Sequence, residues 1–251
     1  MKIQIVSDIH LEMRNNYILQ QTISDVIVLA GDISTGLRGI EFVENQSRLH
    51  EKPAVYVAGN HEYYGHDLPI LLAEIRSFAD KHQHVHFLEN DEVIIEDVRF
   101  LGATLWTDYV GNGTQSQEAN MAVLNASLTD HSVIRSGNRR FLPDDALAIH
   151  QTSRVWLTEK LAEQFDGRTV VVTHHAPSLK CQHQFYDYSA IATGFLSEID
   201  DLVAKADVWI YGHTHSNLDT KIGKCHLVSN QVGYPHEDLP SSFRPDWVLE
   251  V

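Results

Sequence analysis

An α/β fold, with a largely parallel sheet core and added antiparallel strands, is what this 251-residue sequence predicts. Three observations carry it. Short apolar runs rich in β-branched residues recur along the chain, stretches of helical spacing lie between them, and polar residues gather where the runs stop.

The runs are KIQIV (2–6), DVIVLA (25–30), AVYVA (54–58), TVVVT (169–173) and DVWIYG (207–212). Bounded by polar residues or glycine, they read as buried strands of an α/β sheet. Between the second and third, Leu37, Ile40, Phe42, Val43 and Leu49 set a helical spacing over 37–50. After the third, Leu68, Leu71, Leu72, Ile75 and Phe78 form a cleaner helix face, with Pro69 tolerated in its first turn. A third helix is predicted over 143–165, where the acidic opening PDDALAIH suits a helix N-terminus. Two strand pairs are expected at 92–104 and 219–229, the second turning at Ile222–Gly223–Lys224. Residues 107–142 are the least regular stretch and read as a cap or lid between core elements.

Composition narrows the function. With 43% hydrophobic and 21% charged residues, the chain has the make-up of a soluble globular protein. Its 34 acidic residues against 19 basic ones give −15, a surface that repels phosphate backbones and anionic lipid. Nucleic acid is therefore an unfavoured partner. The two cysteines, Cys181 and Cys225, lack C-x-x-C spacing and read as reduced thiols of a cytoplasmic protein. No apolar run approaches the roughly 18 residues of a membrane span, and the N-terminus reads into a strand rather than a secretory signal. The expectation is a cytoplasmic protein with no membrane partner. Histidine is in excess, at 16 residues, which directs attention to metal or acid–base chemistry.

The ends of the five strands supply the groups such chemistry needs. The first runs into Asp8 and His10, the second into Asp32, and the third into Asn60 and His61. The fourth ends at His174 and His175, the fifth at His213 and His215. Each stretch alone has an ordinary explanation as turn chemistry or a solvated histidine. Together they deliver carboxylate, imidazole and amide groups to the carboxyl ends of the strands, where open α/β sheets place their ligand sites. That points to a metal site.

In this order, D-x-H, G-D, G-N-H-E, a strand-ending His and G-H-x-H, the sequence resembles the calcineurin-like metallophosphoesterases over residues 8–215. The resemblance implies one metallophosphoesterase domain over 1–251, a layered β-sheet sandwich flanked by helices, with the cap inserted at about 107–142. It also implies two divalent metal ions. Asp8, His10, Asp32 and His215 would hold one; Asp32, Asn60, His174 and His213 would hold the other, with Asp32 bridging. His175 is the weaker ligand candidate. His61, next to a ligand and assigned to neither ion, resembles the family's general acid or a stabiliser of transition-state charge. The donors are nitrogen and oxygen without thiolate, which favours Mn, Fe, Co or Zn. The expected partner is a small-molecule or nucleotide phosphoester.

Within the superfamily, protein phosphatases extend the second motif as G-D-x-V-D-R-G, and GDISTGLRG lacks that Asp-Arg pair. With no arginine clamp for a phosphate dianion evident, phosphodiester or nucleotide hydrolysis is favoured over monoester or protein phosphatase activity. A non-catalytic metal-binding scaffold is the rival of another class, and the presence of His61 argues against it. Four arginines, Arg14, Arg38, Arg139 and Arg140, are weak phosphate-binding candidates, and Asp108 a weak candidate for the site mouth. The aromatics of CQHQFYDY (181–188) are candidates to line the pocket. His82, His84 and His86 share one face if extended; an exposed strand edge is the plainer reading than a second metal site.

Overall fold

The computed structural model describes residues 1–14, 16–237 and 242–251. In chain order its strands and helices are β1 (Lys2–Val6), β2 (Val26–Ala30), α1 (Arg38–His50), β3 (Ala54–Val57), α2 (Leu68–Ala79), β4 (Val85–Phe87), β5 (Asp91–Ile95) and β6 (Val98–Ala103). Then follow α3 (Gln117–Ser127), α4 (Asp130–Val133), β7 (Arg135–Ser136), β8 (Arg139–Arg140), α5 (Pro143–Ala162) and β9 (Arg168–Thr173). The chain closes with α6 (Asp200–Val203), β10 (Val208–Ile210), β11 (Asp219–Ile222), β12 (Cys225–Val228) and β13 (Val248–Glu250).

The five apolar runs are all strands, and they divide between two sheets, as the layered sandwich implied by the family resemblance requires. The first sheet has the order β13-β1-β2-β3-β4, the second β11-β12-β10-β9-β6-β5. Inside each sheet the central strands are parallel; antiparallel strands lie at the edges, β13 on one side of the first and β11 and β5 at the two ends of the second. Period-two alternation explains the layering. Ile3, Ile5, Val26, Val28, Val55 and Val57 face the second sheet, meeting Phe100, Val170, Val172, Ile210 and Val228 in one buried cluster. The alternate residues Ile27, Leu29 and Tyr56 face outward and pack with Ile40 and Val43 of α1 and Leu71 and Ile75 of α2. On the far side, Val171, Trp209 and Leu227 meet Leu157 of α5 and Leu202 of α6. Strands this apolar on both faces must be covered on both faces, and they are.

Helix starts follow local chemistry. The Asp67 side chain accepts the Ile70 N–H at the head of α2, with Pro69 in its first turn. Within α1, Ile40 and Val43 are buried, whereas Leu49 is exposed and lies off the apolar face expected of it. The stretch 107–142 is more ordered than its sequence predicts: α3, α4 and the β7–β8 hairpin all fall within it. Low periodicity there reflects a helix with only Asn120 and Leu124 buried. The C-terminal β13 has no counterpart in the expected elements. His86 lies on β4, an edge strand, while His82 stacks on Phe78, so the three histidines of 81–87 do not share a face with a common ligand.

Both thiols are buried and unpaired, and burial pushes Cys181 and Cys225 up to about 12. Neither should react with an aromatic disulfide reagent in native protein at neutral pH, and both should titrate on denaturation. Rapid native labelling of either would contradict this packing.

Candidate metal centre

The carboxyl ends of β1, β2 and β3 in one sheet and of β9 and β10 in the other open at the same end of the sandwich. There Asp8, His10, Asp32, Asn60, His61, His174, His213 and His215 come together, almost wholly buried. Five of them, Asp8, His10, Asp32, His213 and His215, have positive φ between 49° and 72°. Non-glycine residues hold such backbone only where surrounding structure compels it, and functional sites are where it concentrates. Glycines make the room. A Cβ at Gly59 would collide with Asp32, and one at Gly31 with the His174 ring.

Among the described residues, three triads have ligand atoms within 4.8 Å of one another: Asp8, His10 and His215; His10, Asp32 and His61; and Asp32, His174 and His213. Asp32 spans the cluster, with Oδ2 3.8 Å from His10 Nε2 and Oδ1 3.4 Å from His174 Nε2. Asn60 Oδ1 lies 3.1 Å from His174 Nε2, and His213 presents Nδ1 to the same nitrogen at 3.2 Å.

The partners of the ring nitrogens make this donor set fit cations. His10 Nδ1 lies 3.1 Å from Glu12 Oε1, His215 Nδ1 2.6 Å from Glu237 Oε1, and His174 Nδ1 2.9 Å from the Ala30 carbonyl. Ionised carboxylates and carbonyls only accept, so each Nδ1 carries the proton and each neutral ring turns a bare Nε2 inward. His10 Nε2 and His215 Nε2 then face each other at 3.0 Å, two lone pairs that repel without a positive charge between them. The same demand raises the proton affinities. Burial opposes charge on His215, but hydrogen bonds to Asp8 and Glu237 overcome it and lift the ring to about 10. Burial likewise opposes charge on His174, where Asp32 prevails and the ring reaches about 9. Holding a ligating imidazole through its other nitrogen is the usual way a metal site fixes ring orientation.

His61 stands apart from this scheme. Its Nδ1 lies 2.9 Å from Glu12 Oε1, its ring stacks on Tyr64, and its Nε2 meets the Tyr234 hydroxyl at 3.0 Å. Burial lowers its proton affinity, yet the Asp32 charge and the Glu12 hydrogen bond raise it overall. The centre opens into a cavity of about 300 Å³ whose walls include Asp130, Tyr234 and Glu237.

Several of these residues escaped the sequence reading. Glu12 sits two places beyond His10 and holds both His10 and His61, a spacing that was legible. Glu62, inside G-N-H-E, is wholly buried and accepts from the backbone N–H groups of Asp32, Ile33 and Gly59 and from the Tyr56 hydroxyl. Asp130 accepts from Asn60 Nδ2 at 2.8 Å and from the Tyr64 hydroxyl at 2.6 Å. Nothing near Asp130, Tyr234 or Glu237 in sequence announces them.

The remaining candidates play other parts. His175 packs behind the cluster, its ring 4.3 Å from that of His213 and also on Trp106, with Nδ1 near the Thr104 carbonyl. Arg14 donates to the Gly233 carbonyl, Arg139 pairs with Asp145 at 2.6 Å, and Arg38 and Arg140 are exposed. None of the four lines the cavity, and neither does Asp108, whose carboxylate accepts from Val110 N–H. From 181–188, His183 and Tyr186 do line it.

Removing the Glu62 carboxylate would strand four buried donors. Glu62→Ala should cost about 3–5 kcal/mol in chemical denaturation, against the roughly 1–3 kcal/mol of one orphaned group. A loss below about 1 kcal/mol would show that water replaces the carboxylate.

Residues 1–217 match the family of calcineurin-like phosphoesterases. The fold is similar to the crystal structure of a phosphopantetheinyl hydrolase from Mycobacterium tuberculosis, with a TM-score of 0.74 and 18% identity, covering 93% of this chain and 90% of that one. It is also similar to TT1561 of Thermus thermophilus, with a TM-score of 0.53 and 14% identity over 92% and 88% of the two chains. An uncharacterized protein, L509 of Acanthamoeba polyphaga mimivirus, is 24% identical over 282 residues, spanning 99% of this chain and 96% of its own. No helix among the described residues is long and apolar enough to cross a membrane. The layered sandwich, the assembled Asp/His cluster and the family match over most of the chain lead to one conclusion: this chain belongs to the calcineurin-like phosphoesterases, which use divalent metals, and is a metal-dependent phosphoesterase.

Proposed function

We propose that the protein hydrolyses a soluble phosphoester at a two-metal centre, with a phosphodiester favoured over a monoester. The observation that carries the two-metal reading is Asp32, one carboxylate oxygen lying toward His10 and the other toward His174. Asp8, His10, Asp32 and His215 would hold one ion, and Asp32, Asn60, His174 and His213 the other. Mn, Fe, Zn or Co suits these nitrogen and oxygen donors. Bound there, two divalent ions would supply positive charge for the phosphoryl oxygens and an acidified water for in-line attack.

The chain's own residues do the rest. Asn60 ligates without adding negative charge, so only Asp8 and Asp32 offset the ions among the assigned ligands. Glu12 holds His61 by Nδ1, which leaves Nε2 as the atom that hands a proton to the leaving oxygen. Tyr234, on that nitrogen at 3.0 Å, aligns the ring and orients the bound ester. No lysine or arginine is among the described residues lining the cavity, while Asp130 and Glu237 are. A diester, carrying one negative charge at its phosphorus, suits those walls better than a monoester dianion. Residues 107–142 act as the cap, since Ser127, Leu128, Thr129 and Asp130 form one wall.

Metal-stripped protein should be inactive and Mn²⁺ should restore turnover, with a bis-aryl phosphodiester preferred to the aryl monoester. His61→Ala should lower kcat on an alkyl ester by about 10²–10⁴-fold and keep its metal content; the loss should be smaller on a nitrophenyl ester, whose leaving group departs without a proton. Unchanged kcat on the alkyl ester would remove His61 from the mechanism.

Asp130 provides a separate check on Asn60. Its carboxylate takes the amide N–H, which turns Oδ1 toward His174. Asp130→Ala should weaken Mn²⁺ binding at one of two sites by about 10–100-fold, read by calorimetry. Equal weakening at both sites, or none, would count against Asn60 as a ligand of one ion.

A further inference from the structure

A second cavity, of about 250 Å³, opens beside the metal centre and shares His183, Tyr186, Phe195 and Thr214 with the first. Phe195 is the partition. Its ring stacks on His213 at 4.5 Å and 22°, so one aromatic plane touches a residue of the centre and also lines the second cavity. Beyond it Ile191, Ala192 and Leu196 form an aliphatic wall, with Gln182, Asp187 and Ser189 also lining the cavity. Tyr186 and Ile191 stand 62% and 38% exposed at this rim, an apolar surface that carries a solvation penalty unless something covers it.

Charge restricts what that something is. Among the described residues lining either cavity there is no lysine or arginine, while the second cavity adds Asp187 to the acidic groups of the first. A substrate with further phosphates beyond the one being cleaved would meet carboxylates and no lysine or arginine. The volume holds roughly eight groups the size of a water molecule, taking about 30 Å³ for each.

We propose that this second cavity is the subsite for the alcohol of the phosphoester, and that the alcohol is an uncharged aliphatic chain running from the metal centre past Phe195 to Ile191. The proposal rests on the phosphohydrolase reading above and narrows its substrate class, away from nucleoside polyphosphates. The apolar wall supplies binding energy and carries no group that reacts.

The test is a series of methyl n-alkyl phosphodiesters, ethyl to octyl, offered to the Mn²⁺-loaded full chain, with the released n-alkanol measured. The kcat/KM should rise about fourfold per added methylene through hexyl, as expected when each methylene leaves water, and then level off where the cavity ends. Ile191→Asp, at an exposed position, should cut the hexyl-to-ethyl ratio at least about tenfold. A flat series with clear turnover of the ethyl ester overturns the subsite and leaves the phosphohydrolase standing. A wild-type slope in Ile191→Asp also overturns it. No turnover of any ester by protein carrying its metal overturns the phosphohydrolase reading, and the subsite with it.

Discussion

The carboxylate of Glu62 is the interaction on which the site's geometry depends. It is buried among the ends of β2 and β3 and ties them together, taking backbone protons from Asp32 and Ile33 on one loop and Gly59 on the other. Those loops leave adjacent parallel strands and have no ladder of their own, so their N–H groups would otherwise be orphaned in a dry interior. Burial and the nearby Asp32 charge push the Glu62 carboxyl up to about 7. A group held at that cost in desolvation is retained because several donors converge on it. The positions of Asp32 and Asn60 relative to each other follow from one side chain that touches no substrate.

Around that anchor the centre is assembled from distant parts of the chain, each contributing an acceptor behind an imidazole or amide. Glu12 stands behind His10 and His61, Glu237 behind His215, the Ala30 carbonyl behind His174, and Asp130 behind Asn60. The effect is to choose which nitrogen of each ring is bare and where it points. The left-handed backbone at Asp8, Asp32 and His215 serves the same end, turning side chains back over the strand ends.

Much of this was legible in sequence because strands and ligands obey short-range rules. The five apolar runs declared themselves by length and β-branching, and polar residues at their ends marked where a site would lie. The eight residues expected at the site meet there, although the part each plays is an inference from geometry. What escaped had no local signature. The split into two sheets was expected only from the family resemblance, because it depends on which face each strand buries and runs apolar on both faces do not reveal it. Within 107–142, α3 buries too few residues to set a helical period. Asp130 reaches Asn60 across 70 residues of chain and Tyr234 reaches His61 across 173.

The family match ends at residue 217, yet the chain's last segment returns to the centre. After β12 it crosses back to the first sheet, where Asn230 donates to the Ile5 carbonyl and Val232 N–H to that of Ser7. It then lays Tyr234 across His10 and His215 and sets Glu237 behind His215 before β13 joins β1. Two of the groups around the cluster, Tyr234 and Glu237, thus sit on a stretch of polypeptide separate from the motifs. Substitutions after residue 217 can reset the basicity of His215 and reshape one wall of the cavity while the Asp/His cluster stays as it is. Divergence among relatives in this segment would therefore change chemistry that a motif search over the shared core does not register.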